Sequence, residues 1–177
     1  MKPPLRIETA RLVLRKPVAE DATAIFEAYA QDELVARYLT WPPHENVEVT
    51  ERVVAGCIAA WEGGARFPYV IELRETGAVV GMIEMRHDEF RVDVGYVLAR
   101  EHWGRGLMTE ALREIVAWAL SQEKIYRVSA TCDTENAGSA RVLEKAGMQR
   151  EGILRRRAVH PNMSPEPRDC YCYSAVK

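Results

Sequence analysis

The chain has 177 residues, of which 47% are hydrophobic and 28% are charged, and its formal net charge is −2. This length suits one domain, residues 1–177, with a substantial buried core. The small net charge gives no support for nucleic-acid or anionic-membrane binding. No apolar run approaches the roughly 18 residues of a membrane span, and the start has no signal-like apolar segment, so we expect a cytoplasmic protein.

The cysteines and histidines do not form a metal-binding pattern. Cys57, Cys132, Cys170 and Cys172 contain no C-x-x-C pair, and the histidines form no H-E-x-x-H motif. We therefore expect no metal site, and we interpret the cysteines as reduced, largely buried thiols.

The first half of the chain predicts a strand, two helices and three strands. Alternating polarity predicts the first strand at 11–17, and helical spacing predicts helices at 19–33 and 47–61. Three strands follow at 67–74, 78–86 and 91–99, the first two joined by a hairpin turn.

The second half returns to helical periodicity and ends in two strands. A wide apolar face begins at Leu107 and includes Ala111, Leu112, Ile115, Val116, Ala119 and Leu120. A strand at 126–132, a helix closed by Gly147, and strands at 148–155 and 169–176 complete the order β-α-α-β-β-β-α-β-α-β-β. The strands at 91–99 and 126–132 should be parallel neighbours joined by a right-handed crossover. The fold class is therefore a mixed α/β sheet flanked by helices.

The segment YVLAREHWGRGLMTEAL places Gly104, Arg105 and Gly106 between a strand and a helix. Glycines before a helix N-terminus let backbone N–H groups approach an anion, and Arg105 can add a charged donor. The alternative is a tight turn that uses its glycines for geometry alone. A Walker loop is excluded because the turn has no lysine, and the dinucleotide fingerprint fails because Thr109 stands where its third glycine would be.

A family resemblance favours the anion-binding interpretation. The segment VDVGYVLAREHWGRGLMTEAL resembles the acyl-CoA pyrophosphate loop of the GNAT superfamily of N-acetyltransferases, and NAGSARVLEKAGM resembles its second cofactor segment. The segments ETARLVLRKPVAEDA and YLTWPPH are similar to the branch that acetylates protein N-termini, including Rim-type ribosomal-protein acetyltransferases. The resemblance implies a GNAT-like fold whose splayed central sheet holds acyl-CoA, with acetyl-CoA as the acyl donor.

The resemblance also assigns the residues that contact acetyl-CoA. The pantetheine amides would pair with the strand at Tyr96, Val97 and Leu98, and Asn136 and Ser139 would contact the cofactor from the second segment. The pyrophosphate would take backbone N–H groups from the loop, which comprises His102, Trp103, Gly104, Arg105, Gly106 and Leu107. The loop departs from the family at Glu101, where glutamine or arginine is usual, and this carboxylate would weaken the affinity for acetyl-CoA.

Acetyl transfer to an amine needs a proton acceptor and a group that assists the departing thiolate. Asp93 stands where related enzymes often carry a strand glutamate, and we expect it to act through water, with Glu84 as the alternative base. The other interpretation of Asp93 is a solvated carboxylate paired with Arg91 or Arg86. Many family members have a tyrosine where this chain has Leu143. Ser139 is the expected substitute, either protonating or hydrogen-bonding the thiolate, although a helix-start serine can instead satisfy backbone donors.

The acceptor is expected to be a primary amine, either a protein N-terminus or a small molecule. Polyamines, amino sugars and antibiotic amines remain open, as does a non-catalytic acyl-CoA-binding module. Trp41 lies where the family builds its acceptor wall, but it can equally serve hydrophobic packing. Both a monomer and a homodimer are compatible with the sequence.

Overall fold

A computed structural model describes residues 2–177, and one eight-stranded sheet forms its centre. The strands are β1 (Arg6–Glu8), β2 (Leu12–Arg15), β3 (Arg66–Leu73), β4 (Val79–Asp88), β5 (Arg91–Leu98), β6 (Arg127–Asp133), β7 (Gln149–Val159) and β8 (Pro167–Val176). They lie in the order β1-β2-β3-β4-β5-β6-β8-β7. β5 and β6 are parallel, and the other neighbouring pairs are antiparallel.

Helices cover the sheet on both faces. They are α1 (Asp21–Ile25), α2 (Glu33–Ala36), α3 (Val47–Gly63), α4 (Leu107–Ser121) and α5 (Ala137–Lys145). A wide π-type turn, Phe26–Ala30, continues α1, and a 3-10 turn, Arg100–His102, precedes the glycine loop. Within residues 2–177, no helix combines the length and apolar character needed to cross a membrane.

The apolar core has one layer on each side of the sheet. Side chains of α4 and α5 pack against one face, which includes Tyr69, Val92 and Val94. Side chains of α1 and α3 pack against the opposite face, which includes Val70. Neighbouring residues of a strand point to opposite faces, so Tyr69 and Val70 belong to different layers. The sheet is therefore buried on both sides near β3–β5. The sequences of these central strands are accordingly rich in apolar residues at consecutive positions.

The structure confirms the predicted fold class and the parallel pair that encloses α4. Gly147 has a φ of +90°, which is the left-handed conformation expected after α5. The segment Arg155–Arg157 lies in β7, an exposed edge strand, where charge discourages pairing with a further strand.

Two elements differ from the prediction. β1 was missed because three residues are too few to show an alternating pattern, yet Ile7 pairs with Leu14 of β2. The helix expected at 19–33 is interrupted before α2, where Asp32 takes an extended conformation. Its carboxylate accepts backbone N–H groups of Leu34 at 2.9 Å and Val35 at 3.3 Å, so it caps a new helix instead of continuing the old one.

Candidate active site

The parallel strands β5 and β6 separate part-way along their length. They pair over Arg91–Asp93 and Arg127–Ser129, and then residues 94–98 and 130–133 continue apart. The separated ends leave an opening in the sheet, which we call the gap. The predicted strand residues Tyr96, Val97 and Leu98 lie in the β5 side of this gap. The splay expected from the resemblance is present.

The glycine loop joins the end of β5 to the start of α4. Gly104 has a φ of +73° and Gly106 a φ of +75°, so both positions favour glycine. A Cβ on Gly104 would meet no atom within 4 Å, which leaves room above the backbone. Gly106 is the residue before α4 and has no side chain to cap the helix. The N–H groups of the first turn of α4 therefore have no side-chain cap, which is the arrangement in which a helix start is open to an anion.

The other predicted loop residues are fixed by contacts within the loop, with β5 and with the core. Arg105 donates from Nη1 to Nδ1 of the buried His102 at 3.1 Å. Because arginine can only donate, Nδ1 of His102 is the acceptor in this contact, and Nε2 of the same ring lies 3.0 Å from the Glu101 carboxylate. Trp103 is exposed, and its Nε1 donates to the carbonyl oxygen of Leu98 at 2.8 Å. Leu107, the first residue of α4, is buried in the core.

Sequence reasoning missed the residues that anchor this loop from the other end of the chain. Arg11 donates from Nη1 to the carbonyl oxygen of Arg105 at 2.9 Å and from Nε to Glu110 of α4 at 2.7 Å. Thr9 donates to the same glutamate at 2.6 Å. Burial raises the pKa of Glu110, but the hydrogen bonds from Thr9 and Arg11 outweigh it, so its pKa lies below the usual range. The turn between β1 and β2 thus braces the glycine loop.

At the other side of the gap, α5 begins beside β6. Asn136 caps α5 by accepting the backbone N–H of Ser139 at 3.0 Å. The Ser139 Oγ atom lies 2.8 Å from the hydroxyl of Tyr96, so the serine side chain bonds to this tyrosine and not to backbone N–H groups of the helix. Leu143 is fully buried in the core. Cys132 lies close by at the end of β6, and burial raises the pKa of its thiol to about 11.

The two candidate bases lie on neighbouring strands and share an arginine. Asp93 Oδ2 pairs with Nη1 of Arg86 at 3.1 Å, and its Oδ1 accepts from Ser129 at 3.3 Å. Glu84 accepts from Arg86 at 2.6 Å and from Arg66 at 2.8 Å. The Asp93 side chain is 44% exposed, whereas the Glu84 side chain is 13% exposed and engaged through both oxygens. Asp93 is therefore paired with Arg86, as one interpretation expected, but it keeps more contact with solvent than Glu84.

The alternation of side chains along β5 places Asp93 and the Tyr96–Ser139 pair on opposite faces of the sheet. Asp93 and Tyr96 are three residues apart in one strand, so their side chains point to opposite faces. Tyr96 faces α5 and Ser139, while Asp93 faces Arg86 and Glu84. A thioester in the gap would have Ser139 on one face and Asp93 on the other.

Three loops meet beyond the ends of β5 and β6. Asn162, between β7 and β8, donates from Nδ2 to the carbonyl oxygens of Ala36 at 2.7 Å and Trp41 at 2.8 Å. Tyr38 donates to the carbonyl oxygen of Glu135 at 3.3 Å. The Trp41 ring packs against His44, with ring centroids 5.0 Å apart. These contacts hold the predicted acceptor-wall segment against the turn between β6 and α5 and the turn between β7 and β8.

The family model for the acetyltransferase (GNAT) domain matches residues 11–149. The chain is also 32% identical over 174 residues to the uncharacterized N-acetyltransferase YoaA of Bacillus subtilis (strain 168), covering 97% of this chain and 96% of the relative. The chain belongs to the GNAT acetyltransferase family. It is an acetyl-CoA-dependent N-acetyltransferase, and acetyl-CoA is its acyl-donor substrate.

Two solved structures share the fold at lower identity. The microcin self-immunity acetyltransferase MccE, solved with acetyl-CoA and AMP, is 18% identical with a TM-score of 0.88, over 99% of this chain and 98% of that chain. The ribosomal-protein α-N-acetyltransferase RimL, solved with coenzyme A, is 20% identical with a TM-score of 0.82, over 98% and 96%. Among residues 2–177, no group of three or more histidine, cysteine or acidic side chains is arranged to hold a metal ion.

Proposed function

We propose that this enzyme acetylates the α-amine of a protein or peptide N-terminus, with acetyl-CoA lying in the gap. In this proposal the glycine loop, His102–Leu107, binds the pyrophosphate through backbone N–H groups, and the β5 backbone at Tyr96–Leu98 pairs with the pantetheine. Two observations support the proposal. The N-terminus of α4 at one end of the gap has no side-chain cap, and the Ser139 hydroxyl lies next to Tyr96 on the β5 side of the gap. Asn136 caps the first turn of α5, and we assign it to the same ligand.

The observation that favours an α-amine is the engagement of both candidate bases by arginines. A carboxylate engaged by arginine can take the proton that the amine loses as it attacks, but it cannot by itself keep an amine of high pKa in the neutral form. At pH 7.5 roughly a third of an α-amine is already neutral, against about 0.1% of a lysine-type amine. An N-terminal acceptor therefore needs the least help from Asp93.

In the proposed reaction the neutral amine attacks the thioester carbonyl, and the N–C bond forms as the C–S bond breaks. Asp93 accepts the amine proton through water, from the face opposite α5. Ser139 directs its hydroxyl to the departing sulfur. RimL acts on a ribosomal-protein N-terminus, as its name states, and its shared fold supports an acceptor of the same class here.

The test is CoA release from acetyl-CoA with matched acceptors. One peptide carries a free N-terminus and no lysine, and its partner has the same sequence with an acetylated N-terminus and one lysine. A polyamine and an amino sugar complete the panel. We expect the free N-terminus to give the highest kcat/KM, with a rate that rises with pH up to about 8, the pKa of an α-amine.

Preference for the lysine peptide, the polyamine or the amino sugar would contradict the N-terminal acceptor and support a small-amine or side-chain acetyltransferase. Binding of acetyl-CoA without turnover of any amine would support the non-catalytic module instead. The pH profile separates an α-amine from a lysine-type amine even where both react, because their neutral fractions rise in different pH ranges.

A further inference from the structure

The position where many family members carry a tyrosine cannot supply a hydroxyl in this chain. Leu143 stands there, and its side chain is fully buried in the core beside α4 and β8. A tyrosine hydroxyl nevertheless reaches Ser139 from a different element. Tyr96 projects from β5, and its hydroxyl lies 2.8 Å from Ser139 Oγ and 3.3 Å from the carbonyl oxygen of Ser139.

We propose that Tyr96 is a positioning residue for Ser139, orienting the serine hydroxyl so that its hydrogen faces the departing sulfur of acetyl-CoA. This inference rests on the proposed function, in which Ser139 assists the thiolate. A serine hydroxyl has one hydrogen and two acceptor sites. When Tyr96 donates to Oγ, one acceptor site is filled, and the serine hydrogen is free to point into the gap.

The surrounding contacts hold the Ser139 backbone and the Tyr96 ring next to each other. Asn136 accepts the backbone N–H of Ser139, so the first turn of α5 is fixed relative to β6. Tyr96 is held by the β5 backbone, whose Ile83 partner in β4 lies in the buried core. The tyrosine hydroxyl has two acceptors on one residue, so a small rotation moves its hydrogen from the carbonyl oxygen to Oγ. This switch strengthens the bond to Oγ when negative charge develops on the sulfur.

Tyr96 orients Ser139 but does not give up its proton. Burial raises the pKa of Tyr96 well above its usual range, although the hydrogen bond with Ser139 lowers it by a smaller amount. An ordinary thiol has a pKa of about 8.5, so proton transfer from this tyrosine to a thiolate is strongly unfavourable. As the C–S bond breaks, the electron pair stays on sulfur, the amine proton leaves on the Asp93 side, and CoA takes its proton from solvent. Tyr96 and Ser139 keep their own protons throughout.

The test compares Tyr96→Phe, Ser139→Ala and the double variant with wild type. Tyr96→Phe removes one oxygen and keeps the ring, and the melting shift caused by acetyl-CoA checks that the variant folds and binds. We expect kcat to fall about three- to tenfold in Tyr96→Phe, the range of one hydrogen bond, with little change in KM for acetyl-CoA. Ser139→Ala should lose about ten- to a hundredfold, the range of a hydrogen bond to a charged group, and the double variant should lose no more than Ser139→Ala.

The matched control is Tyr173→Phe. Its hydroxyl also reaches α5, where it donates to Glu144 at 3.0 Å, but it makes no hydrogen bond to Ser139. We expect wild-type kcat in this variant. A second measurement uses an acetyl thioester of an aromatic thiol, whose thiolate is a weaker base and needs less stabilisation. The ratio of wild-type to Tyr96→Phe kcat/KM should shrink with that donor.

The outcomes separate this inference from the proposed function. Wild-type kcat in Tyr96→Phe, or losses that multiply in the double variant, would overturn the role of Tyr96 while leaving that of Ser139 intact. An unchanged ratio with the aromatic thioester would show that Tyr96 acts on folding or binding and not on the leaving group. Wild-type kcat in Ser139→Ala, or no turnover with any amine, would overturn both.

Discussion

The two carboxylates near the gap differ in how completely arginines engage them. Both oxygens of Glu84 are hydrogen-bonded, to Arg66 and Arg86, and its side chain is nearly buried. Asp93 has one oxygen on Arg86 and the other on a long hydrogen bond from Ser129. Asp93 is therefore the group with free capacity for a water molecule, whereas Glu84 keeps Arg86 in place.

This difference predicts how the two positions affect the pH–rate profile. Asp93→Asn retains the shape but loses the basic oxygen, so we expect kcat/KM at pH 7 to fall by about a hundredfold. Raising the pH should recover part of the loss, because more of the acceptor amine is already neutral. The affinity for acetyl-CoA should stay near wild type. The measurement is kcat/KM from pH 6 to 9 with the most reactive amine of the panel.

Glu84→Gln is the comparison for this prediction. We expect a smaller loss without the recovery at high pH, because its effect would pass through the placement of Arg86. A wild-type profile for Asp93→Asn together with a pH-dependent loss in Glu84→Gln would identify Glu84 as the base. If both variants keep the wild-type profile, the enzyme uses the neutral fraction of its amine and has no dedicated base.

At the scale of elements, the glycine loop depends on the β1–β2 turn as well as on its own backbone. Arg11 connects that turn to both the loop carbonyl of Arg105 and the α4 side chain of Glu110. Its guanidinium would lie 3.6 Å from a Cβ on Gly106. The loop is thus open on the side of Gly104 and supported by a cation near Gly106.

Replacing Gly104 and Gly106 by valine should abolish most of the acetyl-CoA melting shift. Side chains at these positions would obstruct the approach of a phosphate to the backbone N–H groups. For wild type, acetyl-CoA at a hundredfold its Kd should stabilise the fold by about 2.7 kcal/mol. The measurement is thermal unfolding with and without acetyl-CoA in buffer containing a chelator.

Gly77→Val is the matched control for backbone strain. Gly77 has the same left-handed conformation, with a φ of +73°, but it lies in the turn between β3 and β4. Each valine should cost about 1–2 kcal/mol through its positive φ. Only the loop variants should lose the response to acetyl-CoA, and an undiminished shift in the folded double variant would refute the loop assignment.

At the scale of the whole molecule, Asp133 joins segments that are distant in the chain. Its buried carboxylate accepts from Arg168 of β8 at 2.7 Å and from the backbone N–H of Glu135 at 2.8 Å, and His160 Nε2 lies 3.7 Å away. Burial raises the pKa of Asp133, but the hydrogen bonds from Arg168 and Glu135 outweigh it and leave the pKa below its usual value. This carboxylate fastens β6 to β8 at the end of the gap.

Asp133→Asn should destabilise the fold by about 1–3 kcal/mol at neutral pH, the range of hydrogen bonds to a charged group, because it removes the charge with which Arg168 pairs. A carboxylate whose pKa is lowered by folding stabilises the native state above its unfolded pKa, about 3.9, and loses that contribution as the pH falls further. The difference in unfolding free energy between wild type and variant should therefore be constant from pH 5 to 7 and shrink below about pH 4. Urea unfolding at each pH measures it.

Asp88→Asn is the control, because Asp88 pairs with Arg91 on the surface with 58% of its side chain exposed. Exposed pairs contribute at most about 1 kcal/mol, so this variant should remain close to wild type at every pH. An equal loss in both variants, or a loss in Asp133→Asn that does not depend on pH, would contradict the assignment to the buried carboxylate.

The sequence alone determined the features that depend on neighbours in the chain. The glycines before α4, the Asn136 cap, the Gly147 conformation and the crossover from β5 to β6 all follow from local spacing and backbone sterics. The same reasoning failed at β1 and at Asp32. A strand of three residues, such as β1, is too short to show an alternating pattern. At Asp32, a side-chain cap starts a new helix inside a sequence with helical spacing.

Only the tertiary structure decided which side chains from distant parts of the chain meet. Arg11 reaches Glu110, Tyr96 reaches Ser139, and Asp133 reaches Arg168, each across a long stretch of intervening chain. These contacts depend on sheet order and strand register, which place a residue beside partners that its own neighbours do not specify. The strand, the glycine turn and the helix that follows it, in contrast, could be predicted from seventeen consecutive residues, Tyr96 to Leu112. The hydroxyl pair of Tyr96 and Ser139 depends on the packing of β5 against α5. The arginine shared by Asp93 and Glu84 depends on the pairing of β5 with β4.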